Sequence, residues 1–177
     1  MIIVYSFGGL LLLFLILTLL APKKFVVQRQ SVIQASPHQI IGFLSNLNNY
    51  TNWNKWLLAD TSVQVQVNDT PGTDKHNLTW SGKAVGKGNI RLIEIHPSKL
   101  SWSIQYQKPW NLSAIETWEL KAKGAAQTEV TWKQEGNLPW PIARIMGGYI
   151  RRSMGFQYDS AFENLNQLAV KGFPSSK

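Results

Sequence analysis

From Met1 to Pro22 no side chain carries a charge, and Lys23-Lys24 ends the run. As one helix this stretch would reach about 33 Å at about 1.5 Å per residue, enough for a hydrocarbon core of about 30 Å. Core helices of that length without a polar face are uncommon. A cleaved secretory signal has basic residues first, a shorter apolar core and a small-x-small cleavage site. Here no Lys or Arg precedes the run, and Leu19 stands where a small residue belongs. The run therefore reads as a single-pass transmembrane anchor over residues 1–22, ahead of a domain over 23–172 and a disordered tail over 173–177. Lys23, Lys24 and Arg29 flank it on one side, and positive charge prefers the cytoplasmic side, so the domain is expected in the cytoplasm.

The balance of 18 Lys+Arg against 10 Asp+Glu makes the chain basic, at +8. Beside an anchor, anionic membrane lipids are the simplest partner. The basic residues are scattered and no helix-turn-helix, zinc-finger or RNP-type motif occurs, so nucleic acid is not an expected partner. With no cysteine, disulfides, thiol nucleophiles and iron–sulfur clusters are excluded. His38, His76 and His96 lack metal-ligand spacing, and no G-x-S-x-G, P-loop or dinucleotide fingerprint is present. No metal or cofactor is implied.

Beyond the anchor, Lys24–Ala35 alternates as a strand with neither face wholly apolar, which suits a sheet edge. Ser36-Pro37-His38-Gln39 is a capping box with proline at the first helical position. The helix it opens buries Ile40, Ile41, Phe43 and Leu44. A second short helix covers Asn46–Trp53. From Ser62 the texture becomes short alternating segments: 63–67, then 76–81, 84–96, 99–107, 113–123 and 127–136. Turn clusters such as Asn68-Asp69-Thr70-Pro71-Gly72 separate them, the pattern of an antiparallel meander. After Pro139-Trp140-Pro141, an apolar stripe at helical spacing runs from Ile142 to about Val170, where Gly147-Gly148 and Gly155 would permit close packing or a bend.

The order is strand, two short helices, a meander, one long helix. Together with four local motifs it resembles the helix-grip fold of the START-like, or SRPBCC, superfamily (polyketide cyclase/dehydrase-like). Val32–Ile40 resembles the opening strand running into an Ala-Ser-Pro helix start. Leu47–Trp56 resembles a second-helix signature ending in two tryptophans. Trp80-Ser81-Gly82 with Gly86-Lys87-Gly88, and Thr128–Trp132, resemble two strand motifs. The resemblance implies an α+β domain with a curved antiparallel sheet of about seven strands wrapped around the C-terminal helix, here preceded by one transmembrane helix. It also implies a small hydrophobic ligand, such as a lipid, isoprenoid or polyketide-like molecule, held between sheet and helix.

Eight tryptophans in one small domain supply apolar wall. The expected cavity residues are Trp80, Trp102, Trp118, Trp132, Met146, Ile150, Met154 and Tyr158, with Lys23 and Lys24 flanking the membrane. Trp53 and Trp56 share a helical face and are read as packing. On the 113–123 strand, Glu116 shares a face with Trp118 and Leu120. A carboxyl there would have a raised pKa and is the candidate acid; Tyr106 and Tyr158 are the other candidates. Three readings follow: a membrane-anchored binding module, a cyclase/dehydratase-type enzyme using Glu116, or an interaction adaptor whose interior is filled by its own tryptophans. A cavity under about 300 Å³ would favour the last.

Overall fold

In the computed structural model, the described residues are 2–174 except 74 and 110, with side chains described from Tyr5 onward. Helix α1 (Ile2–Leu20) is followed by β1 (Lys24–Ile33), α2 (Pro37–Leu44) and α3 (Tyr50–Trp53). Strands β2 (Gln64–Asn68), β3 (Asn77–Gly82), β4 (Gly86–His96), β5 (Lys99–Lys108), β6 (Leu112–Gly124) and β7 (Gln127–Asn137) come next. Two helices close the chain, α4 (Ile142–Ile145) and α5 (Gly147–Lys171).

The seven strands form one antiparallel sheet in the order β1-β7-β6-β5-β4-β3-β2. Strands β2 to β7 are a meander, and β1 adds to β7 at the edge its mixed faces predict. The ladder register shifts at Leu92/Glu94 in β4 and Ala122/Gly124 in β6, and irregularities of the bulge kind bend a sheet and increase its twist. The concave face grips α5. Asn164 Nδ2 donates to the Trp53 carbonyl at 3.1 Å, tying α5 to α3. Arg29 Nε on β1 reaches Asp159 Oδ1 at 3.0 Å. Gly155 leaves room for this guanidinium, because a Cβ there would collide with it.

Local chemistry explains the element starts. Ser36 caps α2 by accepting from the Gln39 N–H, and the Gln39 side chain accepts from the Ser36 N–H, the full capping box. The Asp60 carboxylate accepts from the Ala84 N–H at 2.6 Å, the Val85 N–H at 3.1 Å, and the Ser62 N–H and hydroxyl. It thereby pins the β3–β4 turn, and these bonds hold its pKa well below the usual carboxylate range. Gly88 lies opposite Trp80 in the β3–β4 ladder. A Cβ at Gly88 would collide with the Trp80 ring, so glycine is what lets that indole lie flat across β4.

Three expectations change. The single C-terminal helix is two, broken at Met146, which ends α4 and precedes Gly147-Gly148. Phe173, expected in a loose tail, stacks on Phe43 with centroids 4.4 Å apart; the tail from 175 lies outside the described residues. The spanning anchor over 1–22 is also revised: α1 stops at Leu20, before Pro22. Its 19 residues rise about 28 Å, just short of a hydrocarbon core of about 30 Å. Among the described residues no helix is long and apolar enough to cross a membrane. Even so, Tyr5, Phe7, Leu10 to Leu13, Leu19 and Leu20 all stand exposed.

The interior beneath α5 is aromatic. Trp118 and Trp132 stack at 4.3 Å, and Trp132 stacks on Tyr158 of α5 at 3.6 Å with the rings 4° from parallel. Trp53 meets both indoles edge-on, at 5.3 and 5.5 Å. Trp118 is fully buried. Trp118→Ala is expected to cost about 3–5 kcal/mol of unfolding free energy. Urea denaturation checks this, and an unchanged midpoint would mean the stack does not hold helix to sheet.

Candidate functional site

The tryptophans fill one part of the space between sheet and α5 and leave a hollow at the other. The hollow measures about 220 Å³. Phe25 of β1, Ile104 of β5, Leu112 of β6, and Ile150 and Met154 of α5 form its apolar walls. Trp56 and Trp132 contribute ring surface. The polar lining is Tyr50, Asn54, Tyr106, Glu116, Gln134, Gln157 and Tyr158. A second depression, beside Lys24, Ser103, Ile115 and Glu135, is larger at about 420 Å³ but shallower.

Glu116 enters the hollow because β6 alternates: Ala114, Glu116, Trp118 and Leu120 face inward and are buried. Its ladder partners are Trp102 on β5 and Gln134 on β7. The residue is 1% exposed, and Trp118 Nε1 donates to Oε1 at 2.8 Å. Burial pushes its pKa up to about 8, an effect that the Trp118 hydrogen bond partly opposes. Trp132 opposes it too, although its indole N–H makes no well-aligned hydrogen bond. Glu116 is thus mostly an uncharged acid at neutral pH, able to donate a proton or a hydrogen bond.

Three tyrosines line the hollow with it. Tyr158 Oη donates to Gln134 Oε1 at 2.5 Å, and Gln134 Nε2 donates to Tyr106 Oη at 3.3 Å. Asn54 Nδ2 and Trp56 Nε1 each donate to Tyr50 Oη at 3.0 Å. Burial pushes Tyr106 up to about 12 and raises Tyr50 and Tyr158 well above the ordinary phenol value. Tyr50 and Tyr106 thus keep their protons and accept these bonds through the phenol oxygen. Their own O–H protons find no acceptor among the described residues. Among the described residues the lining contains no Lys, Arg or His. What the hollow offers beyond apolar wall is spare donor capacity without positive charge.

Of the residues expected to line the cavity, Trp132, Ile150, Met154 and Tyr158 lie on its wall. Trp80, Trp102 and Trp118 are buried behind it and fill space rather than enclose it. Met146 is half-buried at the α4–α5 break, away from the hollow. Glu116 and Tyr106 both reach the hollow. Sequence reasoning passed over Tyr50, Asn54 and Gln134, and read Trp56 as packing. Gln134 was findable, since it lies two residues beyond Trp132 and period two puts it on the same face. Lys23 and Lys24 are exposed at the start of β1. His76 is fully buried and structural: its Nε2 accepts from the Leu47 N–H at 2.8 Å.

Comparison with known proteins follows the same lines. A family model described as polyketide cyclase/dehydrase and lipid transport matches residues 24–169. No curated protein matches the chain. Among solved structures, TTHA0849 from Thermus thermophilus is similar at 15% identity and a TM-score of 0.60, over 84% of this chain and 99% of that one. The Aha1 dimer structure from Colwellia psychrerythraea is similar at 13% identity and a TM-score of 0.59, over 84% of this chain and 98% of that one. The di-domain ARO/CYC StfQ from the steffimycin biosynthetic pathway is similar at 7% identity and a TM-score of 0.62, over 84% of this chain and 52% of that one. At these identities the structural likenesses establish the fold.

Glu116 also gives stability a pH dependence. The folded protein keeps this proton up to about 8, whereas an unfolded chain loses it near 4.3. Between those values the folded state binds more protons, so unfolding free energy falls as pH rises, on the order of 1 kcal/mol per pH unit. Glu116→Gln removes that slope. Denaturation of both proteins at pH 5 and pH 8 should show the variant gaining on the wild type toward pH 8, and parallel curves would refute a buried protonated acid.

Proposed function

The chain belongs to the polyketide cyclase/dehydrase and lipid transport family, and we propose that it binds a compact, uncharged apolar molecule in the hollow beneath α5. The observation that carries this reading is the lining: apolar walls, tyrosine hydroxyls that donate to nothing among the described residues, and among those residues no cation to receive an anion. A hydrogen-bond acceptor on the ligand, such as a carbonyl or ether oxygen, would satisfy them. At about 220 Å³ the hollow is smaller than the roughly 300–1,000 Å³ of typical ligand sites, so the ligand is compact. The same shortfall is what an interaction adaptor filled by its own tryptophans would show, and the co-purification experiment below separates the two.

Attachment of the chain to a membrane through α1 is part of this proposal. It is supported by the uncharged stretch ahead of Lys23 and by the exposed leucines of α1. Lys23, Lys24 and Arg29 favour a domain on the cytoplasmic side. Attachment would keep the hollow close to ligands that partition into lipid.

A second reading has its own support. Glu116, buried, with a pKa pushed up to about 8, and lining the hollow together with Tyr50, Tyr106 and Tyr158, is the candidate general acid, so a cyclase- or dehydratase-type reaction is the alternative. Glu116→Gln separates the two, because an enzyme would keep its ligand and lose turnover.

Binding is tested by native mass spectrometry of the full chain released from its membrane. A passenger of fixed mass is expected with the wild type. Met154→Trp, which fills the hollow at an overpacking cost of about 1–3 kcal/mol, should reduce it at least about tenfold while urea denaturation still reports a folded domain. An empty wild type, or a passenger retained by the filled variant, would remove the hollow as the binding site.

A further inference from the structure

The outer face of the helices that wall the hollow is itself unusual. Ile142, Ile145, Tyr149 and Phe156 are all exposed, and their spacing of three, four and seven places them along one side of α4 and α5. Trp140 leads into the stripe at 53% exposed. Scattered exposed apolar residues are ordinary, whereas a contiguous run marks a contact surface.

The charge around this stripe has one sign. Arg152 fills its gap and lies over the Phe156 ring at 5.8 Å, with exposed Arg151 beside it. No Asp or Glu occurs between Glu135 and Asp159, and none occurs anywhere before Asp60. The fold brings these two acid-free segments together. The Leu138 N–H donates to the Lys23 carbonyl at 2.8 Å, Lys24 pairs with Asn137, and α1 packs against α4. The exposed apolar helix, the two lysines and the basic-aromatic stripe thus share one end of the molecule. Tryptophan and tyrosine favour the membrane–water interface, and clustered Lys and Arg favour an anionic leaflet.

The geometry points to the α4–α5 corner as a docking surface for an anionic lipid bilayer, seated beside α1. The occupant is lipid rather than acidic protein because the stripe continues into the apolar side chains of α1. Ile150 and Met154, on the other side of α5, line the hollow, so docking places the hollow directly above the lipid. This inference rests on the attachment part of the proposed function and is independent of what the hollow binds.

The absence of cysteine makes a site-specific probe straightforward. The full chain carrying Tyr149→Cys, labelled with an environment-sensitive fluorophore, is mixed with phosphatidylcholine liposomes with or without phosphatidylglycerol and recovered by flotation. Ile95→Cys, exposed near the C-terminal end of β4 and at the opposite end of the sheet from Lys24, is the control. Emission from position 149 should rise at least about threefold with phosphatidylglycerol and fall again in high salt, while position 95 stays unchanged. Adding Arg151→Glu and Arg152→Glu should abolish the rise while α1 still carries the protein into the floated fraction. Flotation with no rise at 149 overturns the docking surface alone. Failure to float overturns attachment as well, and a rise that follows protein density instead of lipid charge assigns the stripe to a second copy of the chain.

Discussion

The structure depends on one aromatic stack that crosses three elements. Trp118 on β6, Trp132 on β7 and Tyr158 on α5 lie ring upon ring, so the sheet and the helix it grips share a continuous apolar contact. Each such pair contributes about 0.5–1.5 kcal/mol beyond the area it buries. Trp53 abuts two members edge-on from α3. The surface ion pair from Arg29 to Asp159, also joining sheet to α5, is worth far less in exposed surroundings.

The stack also decides what room remains. With Trp53, Trp102 and Trp118 packed solid, free volume survives beside Glu116, Gln134, Asn54 and the tyrosine hydroxyls, within apolar walls such as Ile104, Ile150 and Met154. The apolar filling that closes one part of the grip is thus the low-dielectric surrounding that keeps the Glu116 proton in place. Trp118 serves both ends of this arrangement, with its ring in the stack and its N–H on the Glu116 carboxyl.

Much of the fold was legible because local rules and tertiary packing agree. The Ser36 capping box, the alternation of β1 and the meander from β2 to β7 could be read from residue spacing, as could the inward face shared by Glu116 and Trp118. Spacing gives a face but not a depth. Period two places Trp80, Trp102, Trp118 and Trp132 on inward faces alike, and only the fold decides that Trp132 borders empty space while the other three occupy it. The break at Met146 escaped for a related reason, since a glycine pair weakens a helix without saying whether packing will hold it straight. Tyr50 and Asn54 escaped because they reach the hollow from a short helix beside irregular turns, where no period applies.

Charge shows what a linear reading conceals. The stretch before Asp60 and the stretch between Glu135 and Asp159 look unremarkable apart in a chain of mixed charge. They become a single basic, apolar end only because β1 adds to β7 and so sets Lys23 against Leu138. Helix α5 then carries two requirements at once. Its inner side must present Ile150, Met154 and Tyr158 to the hollow, and its outer side leaves Tyr149, Arg152 and Phe156 in the open. A helix stabilised only by its buried side would gain from polar residues on the other. The exposed tyrosine and phenylalanine bury little of their surface on folding, and contact with lipid is the use the proposed docking surface gives them.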